Sequence, residues 1–306
     1  MQAIASTTIE RELRIAAPPA TVYSYFTDPA KMTHWMAMEA EADPRPGGAL
    51  RWNMNGFDIA RGEYLELVPF SRIVFTWGWE SLADVPRPGT TRIEVTLRPD
   101  GDGTILTLVH SGLDEATGAA HGEGWAHFLP RLAQAAGSGS PATPCPETMS
   151  EPVQLAARLN SLLCELREVL EGAGDADLER RTSASGWQAA VTTGHILSHL
   201  TLVGFAVDTA AGRRSPIADF TLEQLNANNA TLNTATPEPV AGLLAKLRTE
   251  GPAAVEALRS IQPADLEKSQ PMAFAGGNRL TARDLINGPL LADIRGHIDD
   301  VRGALR

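Results

Sequence analysis

The sequence predicts two domains of different class. The first is an α+β domain in which a curved antiparallel sheet wraps a long C-terminal helix; the second is an all-α four-helix bundle. Three observations predict this. Apolar and polar residues alternate with a period of two around Leu50, Trp52 and Met54, again at Ile73, Phe75, Trp77 and Trp79, and again at Ile93, Val95 and Leu97. Residues 134–152, QAAGSGSPATPCPETMSEP, are small, polar and proline-rich without an apolar period, which describes a linker. Beyond it the period changes to three and four, and no strand-period segment of any length appears. The expected boundaries are residues 1–136, a linker at 137–151, and residues 152–306, and the 306-residue length suits two domains.

Taken in order, residues 8–15 read as a strand that Ala16-Ala17-Pro18-Pro19 ends. Pro19 suits the first turn of a helix, where its missing N–H is not needed. That helix turns Val22, Tyr23 and Phe26 inward and stops near Asp28-Pro29, and a short helical piece follows through Trp35. Pro46-Gly47-Gly48 and Asp100-Gly101-Asp102-Gly103 are turns between strands. Trp125, Phe128, Leu129 and Leu132 space a closing helix over residues 122–135, which Pro130 should kink. Five of the six tryptophans fall in this half. Trp52, Met54, Phe75, Trp77 and Trp125 are therefore candidates to line an apolar ligand pocket, with core packing as the alternative. His34, Arg51, Arg61, Tyr64 and His110 are the polar candidates for such a cavity, and surface or strand-edge positions are the alternative; His121 and His127 are expected to be solvated.

In the second half, Leu155, Leu159, Leu162, Leu166 and Leu170 mark an amphipathic helix with Cys164 packed inside it. A helix starting near Trp187 holds His195 and His199. Thr221 with Gln224 forms a capping box for a third helix, and a fourth runs from about 239 to 261 with a kink at Gly251-Pro252. Thr281 with Asp284 begins a helical turn that Asn287-Gly288-Pro289 should interrupt, and Pro289 opens the last helix.

Composition excludes several functions. The net charge is −11 and no Lys/Arg cluster forms a basic stripe, which argues against nucleic acid. Cys145 and Cys164 have no CxxC spacing, poor material for a disulfide framework and suited to a reducing compartment. The N-terminus lacks the pattern of a signal peptide, and no apolar stretch is read as approaching the ~20 residues that cross a bilayer. The expectation is a cytoplasmic protein without a membrane partner; the oligomeric state is left open.

Chemistry concentrates in two stretches, GWQAAVTTGHILSHL at 186–200 and ADIRGHIDDVR at 292–302. Residues four apart share a helix face, so His195 pairs with His199 and Asp293 with His297. Two such helices face to face bring imidazoles and a carboxylate around one divalent metal with a position left open. The alternative is that each histidine is exposed or hydrogen-bonded in the core.

Two resemblances sharpen this. DPRPGGALRW, RGEYLELVPFSRIVFTWGWE, GDGTILTLVHSGL and HGEGWAHFLPRLA resemble the START-like (SRPBCC) superfamily, in the branch named after the activator of a heat-shock chaperone ATPase. That implies a helix-grip fold with an apolar cavity and leaves the ligand open; the chaperone-activator name is not read as a function. Trp187 with His195, followed by Asp293-IRG-His297 and then Asp300, resembles the DinB-like bundle, and more narrowly the N-terminal domain of mycothiol-dependent maleylpyruvate isomerase; FTLEQLNANNA is similar to that family's middle helix. The resemblance implies a metal set of His195, Asp293 and His297, usually zinc with nickel or iron as alternatives, and activation of a low-molecular-weight thiol such as mycothiol. His199 and Asp300 would orient ligands from behind. The family carboxylate is typically Glu and here it is Asp, a shorter arm that weakens the site, lengthens a bond through water, or hands a ligand role to His199. The resulting expectation is a metal-dependent thiol transferase or isomerase acting on a small electrophile. The alternative is a non-catalytic carrier of a hydrophobic ligand with a degenerate metal site.

Overall fold

The computed structural model describes residues 7–81, 85–140 and 150–306, so the expectation for Cys145 lies outside the described residues. The chain divides into two compact units, Met1–Met149 and Ser150–Arg306.

In the first unit the elements run β1 (Thr7–Ile15), α1 (Pro19–Ser24), α2 (Pro29–Met32), β2 (Glu39–Ala42), β3 (Ala49–Asn53), β4 (Ile59–Val68), β5 (Arg72–Trp77), β6 (Trp79–Glu80), β7 (Thr91–Asp100), β8 (Gly103–Leu113) and α3 (Glu115–Ser138). The strands form one antiparallel sheet in the order β1-β8-β7-β5-β4-β3-β2, with β6 paired to β4. Register explains the buried face: Ile73 lies opposite Val95, which lies opposite Leu108, so alternate residues of three strands point into one core. Three strands escape the sequence period for physical reasons. β2 is four residues long. β4 carries a bulge between Tyr64 and Glu66, which breaks its alternation, and it exposes Leu65. In β8 the apolar Ile105 and Val109 occupy the outer face and blur the contrast with Leu106 and Leu108.

Helix α3 begins seven residues earlier than its apolar spacing indicates. The Asp114 carboxylate accepts from the Thr117 N–H (2.8 Å) to cap it, and Gly139, at φ 69°, ends it. The early turns are rich in glycine because they lie against β1: a Cβ on Gly118 would stand 2.7 Å from the Thr7 side chain. Pro130 sits inside the helix without ending it.

The aromatic residues expected to line a pocket are core. Trp52 and Phe75 are fully buried, and Trp77, Trp125 and Met54 nearly so. Trp52 packs edge-on against Trp77 (5.1 Å between centroids) and Phe75 (5.8 Å), and Trp77 lies 5.9 Å from Trp125. Edge-to-face contacts of this kind fill space rather than leave it. Tyr64 and His110, for which a surface or strand-edge place was the alternative, are interior: the Tyr64 hydroxyl donates to the Phe26 carbonyl (2.6 Å). Arg51 and Arg61 instead reach Glu80 at the sheet surface.

The second unit is helical. Its elements are α4 (Glu151–Glu171), α5 (Ala189–Ser198), α6 (Leu200–Ala210), α7 (Leu222–Thr231), α8 (Val240–Arg259), β9 (Ser269–Pro271), β10 (Arg279–Thr281), α9 (Ala282–Leu285) and α10 (Asp293–Leu305), with short 3₁₀ turns between them. α4 packs on α8 and α10, and α5–α6 crosses α8, α9 and α10 to complete the bundle. Both capping boxes form, Thr221 with Gln224 and Thr281 with Asp284. A two-stranded ribbon, β9 with β10, departs from the all-helical expectation; three residues per strand are too few to show a period.

Two further expectations are corrected. Asn287-Gly288-Pro289 does not break the chain before the last helix: residues Ile286–Ala292 form a π-helical stretch that joins α9 to α10 continuously. The wider turn accommodates Pro289, whose missing N–H would otherwise leave a carbonyl without its partner. The segment Ala189–Ala210 is long and apolar enough to cross a membrane by length and composition, contrary to the sequence reading. Half of it is buried within the unit, and its apolar face is accounted for by packing on α8, α9 and α10.

Candidate metal centre

His195 lies in the last turn of α5, and His199 sits where α5 gives way to α6. Asp293 is the first residue of α10 and His297 follows one turn later. α10 is held in place by Glu165 of α4, which accepts two hydrogen bonds from Arg295 (both 2.7 Å) and one from Arg302 (3.0 Å). These two fixed helices bring His195, His199 and Asp293 together, with His297 beside Asp293.

One ligand atom from each of His195, His199 and Asp293 falls within 4.8 Å of the others. Asp293 Oδ2 is 2.9 Å from His199 Nε2 and 3.4 Å from His297 Nε2. The His195 ring lies 4.3 Å from that of His199 and 5.1 Å from that of His297. Donors around one tetrahedral zinc stand about 3.3 Å apart, given bonds of about 2.0 Å, so the spacing suits a shared ion after small side-chain movements. His199 and His297 are largely buried, and the Asp293 side chain is half-exposed.

The electrostatics fit a cation. Burial, reinforced by His199 and His297 and partly offset by Asp293, pulls the His195 pKa down to about 4, so its ring is neutral and offers a lone pair near pH 7. Hydrogen bonds from His199 and His297 hold the Asp293 carboxyl well below the usual carboxylate range. His199 Nδ1 lies 2.9 Å from the His195 carbonyl and must donate to it. His199 Nε2 faces an Asp293 carboxylate oxygen at 2.9 Å. Two acceptors at that distance require a second proton on the ring or a cation between them. The donor set, three imidazoles and one carboxylate, is one that zinc, nickel and iron accept.

Asp300, expected to orient ligands from behind, accepts at Oδ1 from the Ser183 N–H (3.0 Å), the Ser183 hydroxyl (2.9 Å) and the Ala184 N–H (3.0 Å). It anchors the turn that leads to Trp187. Trp187 itself was not singled out as a site residue, although its fixed distance from His195 was visible. Its ring meets His195 edge-on at 5.2 Å and lies over His297 at 6.2 Å.

The centre forms part of the wall of a cavity of about 660 Å³. The opposite walls come from Leu202 and Phe205 of α6, from Ile217 and Phe220, and from Phe274. Of these, Leu202 and Phe205 follow Ser198 at steps of four and three on one helix face, a signal that was available. Ile217, Phe220 and Phe274 come from irregular segments, where no period marks them.

The first unit has a smaller cavity, of about 240 Å³, bounded by Phe57, Trp79, Val85, Thr117 and His121. None of the five aromatic and methionine candidates lines it. His121 was expected in solvent, but Nε2 accepts from the Trp79 indole N–H (2.9 Å) and Nδ1 donates to the Thr117 carbonyl (2.7 Å).

A helix-grip unit and a helical bundle with a His/Asp cluster define a two-part protein with a ligand-binding fold in one half and a DinB-like fold in the other. The comparisons with known proteins name both parts. Residues 16–137 match the family model described as activator of Hsp90 ATPase homolog 1-like protein, and residues 159–285 match the mycothiol maleylpyruvate isomerase N-terminal domain. An AHSA1-like protein from Rhizobium etli is 42% identical over 47% of this chain and 89% of its own, with a TM-score of 0.40. The solution structure of CalU16 from Micromonospora echinospora is 30% identical over 47% of this chain and 73% of its own, at a TM-score of 0.38. The Aha1 dimer from Colwellia psychrerythraea is 22% identical over 44% and 98%, also at 0.38. No curated protein matches the chain. The chain belongs to the AHSA1-like family through its first half, and carries a maleylpyruvate-isomerase-type N-terminal domain in its second.

Proposed function

We propose that the second unit binds one divalent metal, with zinc the best fit to the donors and nickel or iron as alternatives, and uses it to transfer a low-molecular-weight thiol to a small electrophile or to isomerise that electrophile with the thiol's help. The observation that carries this reading is the convergence of His195, His199, Asp293 and His297 on the wall of a cavity large enough for a small organic molecule. A divalent metal held there would supply Lewis acidity that favours the thiolate form of a low-molecular-weight thiol, mycothiol for instance.

The chain's own residues do the rest. His195, Asp293 and His297 are the ligands we assign, with His199 Nε2 the alternative to one of the imidazoles, so that three side chains hold the ion and a fourth position stays open. The shorter arm of Asp, compared with the family's Glu, gives His199 a reason to take over a ligand role, because its Nε2 lies 2.9 Å from Asp293 Oδ2. The hydrogen bond from His199 Nδ1 to the His195 carbonyl fixes the ring so that Nε2 faces Asp293. Trp187, against His195 and His297, limits the rotation of both rings. Leu202, Phe205 and Phe274 give the reacting groups an apolar surround that excludes water.

The cavity beside Trp79 and His121 in the first unit suits a small apolar ligand, and we assign ligand binding to that unit as well. The main reading is tested by elemental analysis of untagged protein beside His195→Ala and Asp293→Ala. About one metal per chain, lost in both variants together with thiol transfer, is the expected result. Transfer that survives in His195→Ala would sink the mechanism.

A further inference from the structure

We propose that the bundle cavity takes an uncharged, mainly apolar electrophile, and that it discriminates against dicarboxylates. The inference rests on the metal-site reading for the location of the chemistry, but the substrate class follows from the cavity wall alone.

None of the described residues lining the 660 Å³ cavity is Lys or Arg. A carboxylate taken from water into such a cavity needs a cation or several hydrogen-bond donors in return. Cations flanking this unit are already engaged: Arg295 with Glu165, Arg283 with Glu151 and Glu267, Arg213 with Asp208. Among the described residues of the wall the one carboxylate is Asp293, which repels anions. No Lys or Arg among them is left to hold a second or third anionic group, and the Ser198 and Thr201 hydroxyls already donate to backbone carbonyls.

What the wall does offer is apolar surface, from Leu202, Phe205, Ile217, Phe220 and Phe274, and two carboxamides, Asn228 and Asn229, contributed by α7. None of the residues of α7 is buried, so the helix meets the cavity by its edge and keeps those amides wet enough to exchange partners. An amide N–H donates to a carbonyl or nitro oxygen as readily as to a hydroxyl. The chemistry that fits is a flat or branched hydrocarbon body carrying one polar acceptor, as in an enone, a quinone or an activated arene.

The test uses the full-length metal-loaded chain and unreactive probes, so that binding is read rather than turnover. Calorimetry compares 4-phenylbutan-2-one, an uncharged ketone, with succinate. The ketone should bind at least about tenfold more tightly, a ratio that corresponds to about 1.4 kcal/mol. Asn228→Arg should narrow the gap by improving succinate, and Phe205→Ser should weaken the ketone while circular dichroism stays unchanged. Equal affinity, tighter succinate, or no binding of the ketone would overturn the proposal. Metal content measured on the same samples separates the two claims. A chain that holds no metal yet prefers the ketone loses the metal reading and keeps the substrate class; a metal-loaded chain that prefers succinate does the reverse.

Discussion

Lowering the pH from 7 to 4 should destabilise the first unit through one buried side chain, His110. Its surroundings fix its tautomer. The Trp125 indole N–H donates to Nδ1 (3.1 Å), so Nδ1 carries no proton. Nε2 therefore holds the ring's proton and donates to the Thr91 hydroxyl (2.8 Å), which in turn donates to the Trp77 carbonyl (2.9 Å). A second proton on the ring would face the indole N–H with no acceptor between them. Burial, helped by nearby His121, accordingly pushes the His110 pKa from its ordinary 6.5 down to about 3. The sign follows. Between these two values the unfolded chain binds a proton that the folded chain does not, so stability falls as the pH falls, and above 6.5 the residue contributes no pH dependence. The slope is about 1.4 kcal/mol per pH unit, or about 3 kcal/mol between pH 6.5 and 4. Urea denaturation followed by tryptophan fluorescence is a suitable assay, because five of the six tryptophans lie in this unit. His110→Gln keeps an acceptor and a donor but cannot titrate. It should start about 1 kcal/mol less stable at pH 7, by the usual scale of one disturbed hydrogen bond, and then lose less on acidification. Stability curves for the two proteins that stay parallel from pH 6.5 to 4 would refute the argument.

Four other substitutions have expected outcomes. Gly78→Ala would set a Cβ 1.7 Å from the Arg87 carbonyl oxygen and should lose about 2 kcal/mol or more, whereas Gly124→Ala, in α3 with open space around it, should gain about 0.5–1 kcal/mol; thermal melts decide both. Asp300→Ala releases the turn that carries Trp187, and should cost about 2 kcal/mol and weaken metal retention about tenfold in a chelator competition. Glu165→Gln removes one of the two carboxylates that Arg295 and Arg302 share, leaving Asp299, and should cost about 1 kcal/mol, with the deficit shrinking in high salt because the groups are partly exposed.

The two fold classes could be read from the sequence because period and composition change together near residue 140. The strands that were legible, around Trp52, Phe75 and Val95, are those where one face is buried and the other polar. β4 and β8 were not, because a bulge and apolar outer residues erase the contrast. The pairs at His195/His199 and Asp293/His297 were legible because each lies within one helical turn. That Asp300 holds Ser183 and Ala184 was not, since these partners lie 117 and 116 residues off in sequence. The tryptophans could be counted but not placed: an aromatic strand face looks the same whether it meets a ligand or another ring. Trp187 shows the converse, a residue that carried the resemblance without revealing that it touches two imidazoles.

The π-helical stretch between α9 and α10 has a consequence for spacing. A helix that takes one additional residue into a wider turn advances everything downstream by one position, about 100° around the axis. Asp293 and His297 therefore face His195 because of how residues 286–292 are wound, as much as because of their own identity. Deleting one residue there, Gly288 for example, would restore ordinary winding and leave Ile294, Ile298 and Val301 to choose between the core and the helix register. A four-residue count carried across Pro289 points to the wrong side of the helix, and comparison of this site with any other has to start its count afresh at residue 293.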